Sequence, residues 1–446
     1  MQIGTAPETQ DVPSTKPIFP TGRMLPFILV TVLFFLWGMS NNLTDILVQQ
    51  FKKSFELSPL QAQLVQTANF LGYFCMAIPA ALVMRRWGYK AGILAGLCLF
   101  GGGMLLFWPA AIVGQYTPFL VALFFVGCGA ATLETASNPY IAQSGPSETS
   151  ERRLNFSQAF NPPGTITGLL IGTYAIFSGV ELSSAKVAEM KAAGTYAAYL
   201  HSEIMRVVPT YVGLGGLVLL WALWIGLTKF PAVSGESESG ASSGTFRDLL
   251  RYPNLWLAVG AQFCYCGAQV STWSAFIPYV KQYTNLAERN AALILIGNLV
   301  ALALGRMIST PLMRYFRPAR MTGLYAVINI ALLGVGILHP GLVGAFAILA
   351  TSFFMSIMFP TIFALGIKGL GPNTKLGGSI IVMSIVGAAF APLLLGWIKG
   401  QTGSYALGYA VPAVAYVAVA LYGFMARTEI LKQAIENADP TTNLSS

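Results

Sequence analysis

The chain has 446 residues, 55% of them hydrophobic and 10% charged, with a mean hydropathy of +0.63. Soluble domains carry about 25% charged residues, so that class is excluded and a polytopic helical membrane protein is expected. The net charge of +9 is spread over short segments between apolar runs, which argues against nucleic acid as its partner.

Residues 1–24 are polar and read as a tail. The apolar run that follows is too long for a signal-peptide core and lacks a small-residue cleavage site, so it should be a true span. A span needs about 20 mainly apolar residues. Twelve stretches meet that length: about 25–48, 60–84, 91–112, 117–143, 154–178, 207–228, 254–280, 288–313, 321–338, 343–368, 377–398 and 405–426. Between the fifth and sixth, "SSAKVAEMKAAGTYAAYL" reads as one short surface helix in the loop 179–206, which also holds His201. Residues 232–245, "AVSGESESGASSGT", read as a flexible linker. The division is therefore a six-helix bundle over 25–228, a linker over 229–253, a second bundle over 254–426 and a tail over 427–446.

The two bundles look duplicated. At an offset of 229, Gly38 meets Gly267 and "MRRW" (84–87) meets "MRYF" (313–316); at 226, Gly145-Pro146 meets Gly371-Pro372; at 224, "GLLIG" (168–172) meets "PLLLG" (392–396). The common order of these matches makes the case, since each alone is weak. Small residues at four-residue spacing, Gly164, Gly168 and Gly172 in span 5 and Gly297, Ala301 and Gly305 in span 8, predict close helix packing.

Basic residues set the orientation. With both termini inside, 17 of the 26 Lys and Arg lie in cytoplasmic segments, 8 lie outside, and Arg306 sits within a span. Cys75, Cys98, Cys128, Cys264 and Cys266 all fall in apolar stretches and are expected to be free thiols, with no metal site. No nucleophile–base or metal-ligand pattern appears, so an enzyme and a cofactor are not expected.

Acidic residues are costly at bilayer depth and mark function. Of the 17, all but Asp45 and Glu134 are expected in tails, loops or span edges. Trp37, Asn41 and Asp45 are four apart on one helix face, with Asn42 beside them; Glu134 and Asn138 share a face of span 4. Gln158 and Asn161 precede Pro162-Pro163 at the start of span 5. Span 7 carries Gln262, Tyr265, Gln269 and Trp273, and span 2 carries Gln66 and Asn69. This set is rich in amides and indoles and poor in fixed charge. Amides donate and accept, as sugar hydroxyls require, and an aromatic ring suits the C–H face of a pyranose. A desolvated carboxylate holds its proton more readily, which a proton coupler must do. Asp45, near the outer end, is the coupling candidate; Glu134, deeper, suits both coupling and a sugar hydroxyl.

"FFLWGMSNNLTDILVQQF", "ATLETASNPY", "RLNFSQAFN", "AQFCYCGAQVSTWS" and "FPTIFALGIKGLGPNTKLGGSIIVM" resemble the fucose, glucose and galactose symporter family of the major facilitator superfamily. The likeness runs from about Leu25 to Ala426. It implies an all-α membrane fold of twelve transmembrane helices in two six-helix halves, with a sugar site between them. It also implies that Asp45 takes part in proton coupling and that Glu134 binds substrate. Trp37, Asn41, Gln158, Asn161 and Trp273 match cavity-facing positions, and the same site is expected to include Asn42, Gln66, Asn69, Asn138, Gln262, Tyr265, Gln269 and Asn298. Arg85, Arg86 and Lys90, joined by Arg306 and Arg314, resemble the cytoplasmic conformational latch. Thr44, Pro162-Pro163 and the span around Asn298 depart from the family pattern, which counts against L-fucose itself and leaves D-glucose, D-galactose, D-mannose or an N-acetyl sugar open beside it. The expected protein is a monomeric symporter of sugar and proton in a bacterial inner membrane, in contact with lipid and not with nucleic acid. Sodium coupling, a proton-driven exporter of lipophilic compounds and a sugar-binding sensor are the alternatives.

Overall fold

The computed structural model describes residues 19, 24–57, 61, 64–176, 184–230, 245–284 and 288–438, and no strand occurs among them. A segment in lipid must satisfy its backbone groups internally, and helices do so. The first half contains α1 (Met24–Ser54), α2 (Leu64–Leu105), α3 (Phe107–Val113), α4 (Tyr116–Gln143), α5 (Ser150–Gln158) and α6 (Asn161–Ile171), then α7 (Ser184–Ala192), α8 (Tyr196–Met205) and α9 (Val207–Leu227). The second contains α10 (Pro253–Ser274), α11 (Phe276–Tyr283), α12 (Glu288–Leu312), α13 (Pro318–Leu338), α14 (Leu342–Met355), α15 (Met358–Gly366), α16 (Thr374–Met383), α17 (Gly387–Thr402) and α18 (Ala410–Ala438).

Each expected span has a helical counterpart, but several are broken. Spans 2 and 3 run together in α2, which turns at Gly88 (φ 80°, ψ 174°), a backbone that side chains other than hydrogen rarely adopt. Span 5 is split at Ala159–Phe160 and span 10 at Ser356–Ile357. The surface helix expected in the outer loop is two helices, α7 and α8, because Gly194 takes a left-handed conformation (φ +71°) between them. Among the described residues, seven helical stretches are long and apolar enough to cross a membrane. One of these, Leu64–Val113, contains two expected spans; Met24–Ser40 and Ile296–Leu312 are shorter apolar helices. The 232–245 linker, apart from Thr245, and the tail residues 1–18, 20–23 and 439–446 lie outside the described residues.

Contacts gather the chain into two compact units. One comprises Leu25–Ser137 and Phe160–Pro231; the other comprises Asn138–Ala159 and Ala232–Ser446, with Met1–Met24. In the first unit α1 meets α6 through glycine. A Cβ on Gly38 would meet the Asn161 carbonyl, and one on Gly164 or Gly168 would meet the carbonyl of Phe35 or Met39. In the second unit a Cβ on Gly305 would meet the Phe353 carbonyl of α14, and one on Gly387 the Phe263 carbonyl of α10. The small-residue runs of spans 5 and 8 are thus close-approach surfaces, as their spacing implied.

Two acidic residues expected in loops are instead almost fully buried. Glu151 is 2% and Glu203 1% exposed. Each is neutralised locally, Glu151 by Lys368 at 3.0 Å and Glu203 by Lys53 at 3.1 Å and Arg206 at 3.4 Å. Arg153, also expected in a loop, is fully buried; it donates to the carbonyls of Ile141, Ala142 and Pro146 and to Thr149 Oγ1, closing the C-terminal end of α4. The five cysteines form no disulfide; Cys75 and Cys98 are exposed rather than packed inside.

Candidate functional site

Within the unit of Leu25–Ser137 and Phe160–Pro231, Trp37 lies on α1 and stacks on Phe34 with ring centroids 5.7 Å apart. Its side chain is buried. Glu134 on α4 is buried, and Tyr73 of α2 lies against both Glu134 and Trp37. Two expected residues are therefore linked by a tyrosine that the sequence analysis missed. The signal was there: Tyr73 follows Asn69 by four residues, hence on the same helix face. Asn69 is buried, and its carbonyl is where a Cβ on Gly127 would fall, so α2 and α4 touch backbone to backbone at this level. Gln66 is half-buried. Asn161 Nδ2 donates to the Phe34 carbonyl at 3.2 Å, which ties α6 to α1 one turn before Gly38. The backbone of Asn41, Asn42 and Asp45 is helical, but their side chains lie outside the described residues.

In the other unit, Gln158 Nε2 donates to Asn138 Oδ1 at 3.1 Å, so the two amides expected on different spans do meet. Asn138 is fully buried and its Nδ2 has no partner. On α10, Gln262 is buried with Oε1 unpartnered; on α12, Asn298 is buried with both amide atoms unpartnered. Asn298 is also the repeat counterpart of Asn69 at the offset of 229. Buried polar groups normally find partners. Asn138, Gln262 and Asn298 thus keep amide donors and acceptors that the protein does not use.

Other expected contacts are already engaged. The Tyr265 hydroxyl donates to the Met355 carbonyl at 3.2 Å, and Trp273 Nε1 donates to Ser352 Oγ at 3.1 Å. Gln269 is half-buried. The latch residues divide as well. Lys90 caps the C-terminal end of α9 by donating to the carbonyls of Gly226 (2.8 Å) and Thr228 (2.9 Å). Arg86 lies over the Trp87 ring at 5.1 Å and Arg314 over the Tyr315 ring at 5.9 Å, while Arg85 is half-buried. Arg306 is buried, with Nε on the Ser356 carbonyl (2.7 Å) and Nη1 on the Gln158 carbonyl (2.6 Å).

The set offers neutral donors and acceptors, indole faces and one buried carboxylate. That chemistry suits a neutral polyol better than an anion, which would call for convergent cations. Comparison with known proteins bears on its family. The chain is 40% identical over 404 residues to the L-fucose-proton symporter of Escherichia coli (strain K12), covering 90% of this chain and 92% of that protein. It is 33% identical over 398 residues to the glucose/galactose transporter of Brucella abortus (strain 2308), covering 89% and 92%. The crystal structure of a major facilitator superfamily transporter, FucP, in the outward conformation matches with a TM-score of 0.83 at 39% identity, covering 90% of this chain and 99% of that one. A proton–xylose symporter matches with a TM-score of 0.62 at 15% identity, covering 90% and 94%, a likeness of fold alone. Residues 28–380 match the model of the Major Facilitator Superfamily, which with these relatives establishes that the chain is a member of that superfamily and has its twelve-helix fold.

Proposed function

We propose that the protein is a proton-coupled symporter of a neutral hexose or 6-deoxyhexose, working by alternating access as a monomer in a bacterial inner membrane with both termini cytoplasmic. The observation that carries this reading is the set of buried amides with unpartnered polar atoms in one unit, Asn138, Gln262 and Asn298. They present amide N–H groups and amide carbonyls, the complement of ring hydroxyls that both donate and accept. Relatives named for L-fucose with protons and for glucose and galactose support the same substrate class. Exposed apolar side chains such as Leu220, Leu393 and Val414, each at least 66% exposed, support a surface covered by lipid.

Coupling is assigned to Asp45 and Glu134. A proton gained by a carboxylate removes the charge that opposes closure around the sugar. The test is sugar-induced alkalinisation in de-energised, sodium-free vesicles with L-fucose, D-glucose, D-galactose and D-mannose in turn. A pH rise with one sugar identifies the substrate and the ion. Uptake that needs added sodium, with no pH change, replaces the proton; no uptake of any of the four overturns the sugar reading.

A further inference from the structure

Arg306 is a buried cation that makes no ion pair among the described residues. Burying a charge without such compensation is costly, and the backbone around it explains how it is tolerated. In an α-helix the carbonyl of residue i accepts from the N–H of residue i+4. For Gln158 that residue is Pro162, and for Ser356 it is Pro360; proline has no N–H to give. Both carbonyls are therefore orphaned by the sequence itself. Arg306 donates to both, Nη1 to Gln158 and Nε to Ser356. These carbonyls also lie where two helices end, α5 at Gln158 and α14 with Ser356 as its C-cap. The partial negative charge of each helix end faces the guanidinium. A planar fork serves two carbonyls at once, which a lysine ammonium on its flexible stem does poorly.

The consequence reaches the polar set. Gln158, whose carbonyl Arg306 holds, is the residue whose side chain donates to Asn138. The second break, at Ser356, directly follows Met355, whose carbonyl holds the Tyr265 hydroxyl. We infer that Arg306 is a positioning residue of the transport site: it fixes the proline-made helix breaks at Gln158 and Ser356, and through them the Gln158–Asn138 amide pair presented to the sugar. This rests on the sugar-transport reading above, and it assigns Arg306 to the backbone rather than to substrate.

The test uses the full chain in proteoliposomes, with counterflow of tritiated L-fucose and D-glucose and thermal unfolding of the detergent-solubilised protein. Arg306→Lys keeps the charge but loses the fork; loss of one charge-assisted hydrogen bond should raise the sugar KM about tenfold with the maximal rate within about twofold. Arg306→Gln should lose more, in both KM and melting temperature. Adding Pro162→Ala and Pro360→Ala to Arg306→Gln returns N–H donors to both carbonyls, and should bring KM back to within about threefold of the parent and recover the melting temperature. A parental KM in Arg306→Lys overturns the inference. So does a triple variant no better than Arg306→Gln, because that would place the guanidinium on the sugar. If Arg306→Gln yields no monodisperse protein, the triple variant must yield it or the inference fails. If the parent moves neither of these sugars, nor D-galactose or D-mannose, the transport reading falls, and the melting temperatures alone then decide whether Arg306 serves the two breaks.

Discussion

Glu151 and Lys368, 217 residues apart in sequence, form an ion pair of 3.0 Å in which the carboxylate is almost wholly buried and the ammonium is one-quarter exposed. Beside it, Asn155 Nδ2 donates to Thr361 Oγ1 at 3.0 Å. These bonds join α5 to the end of α15. Removing one partner of a buried pair leaves the other charge uncompensated, a larger loss than the pair's net worth. Lys368→Ala should therefore destabilise this unit by about 1–2 kcal/mol, discounted for the exposed ammonium. The charge-reversed double variant Glu151→Lys/Lys368→Glu should recover part of the loss. Thermal unfolding of the solubilised protein checks both, and a Lys368→Ala variant as stable as the parent would remove the pair from the account.

The glycines of α1 and α6 make a sharper structural prediction. A methyl group on Gly164 or Gly168 would meet backbone carbonyl, which cannot turn aside as a side chain can. Gly164→Ala should force α1 and α6 apart and cost about 1–3 kcal/mol. Gly213→Ala, on α9 with nothing within 4 Å of the added carbon, is the internal control and should be neutral or stabilising. Equal melting temperatures for the two variants would contradict the close crossing.

Lys53 supplies a pH dependence whose sign can be worked out. Burial pulls its ammonium down, but hydrogen bonds and attraction from Tyr199 and Glu203 outweigh this and hold it above the usual lysine value of 10.5. The folded protein thus binds this proton more tightly than the unfolded chain. The contribution is fully present below the unfolded value and is lost as pH rises through the folded one. Melting temperature should fall as pH rises above about 10.5, and Glu203→Gln should flatten that part of the profile. An unchanged alkaline limb in Glu203→Gln would show that another group governs it.

How far these features were legible in the sequence follows from their physics. The spans could be read because hydrophobicity is local and additive along a helix, and the Gly164–Gly168–Gly172 run because four-residue spacing fixes a face. Trp37 and Glu134 stood out because polar groups are costly within apolar runs. Tyr73 did not, since a tyrosine is ordinary in such a run, and only its spacing from Asn69 marked it. The burial of Glu151 and Glu203 was illegible because it depends on Lys368 and on α8, which no local pattern brings near. Nor did composition reveal that the Trp273 indole is engaged by Ser352 and that of Trp37 lies against Tyr73, a matter of packing between helices. The orphaned carbonyls at Gln158 and Ser356 were implicit in Pro162 and Pro360, but the arginine that serves them is more than a hundred residues from one of them.

Asp45 and Glu134 carry the functional prediction that separates coupling from binding. Both lie in α1 and α4 of the first half, and under the internal repeat their counterparts are Ser274 and Pro360, neither of which ionises as a carboxylate does. On the proposed assignment, coupling belongs to one half. Net accumulation requires the carrier to return unloaded with its proton site emptied, whereas exchange of sugar for sugar never needs that step. Asp45→Asn fixes a neutral side chain, so it should keep counterflow and lose proton-driven accumulation. Glu134→Gln, at a buried residue in contact with Tyr73, should weaken sugar binding as well, raising KM by roughly tenfold for one lost charged hydrogen bond. Labelled-sugar counterflow and sugar-induced alkalinisation on the same vesicles distinguish the two residues. An Asp45→Asn variant that loses both would make Asp45 a binding or folding residue and leave Glu134 as the remaining candidate for the proton.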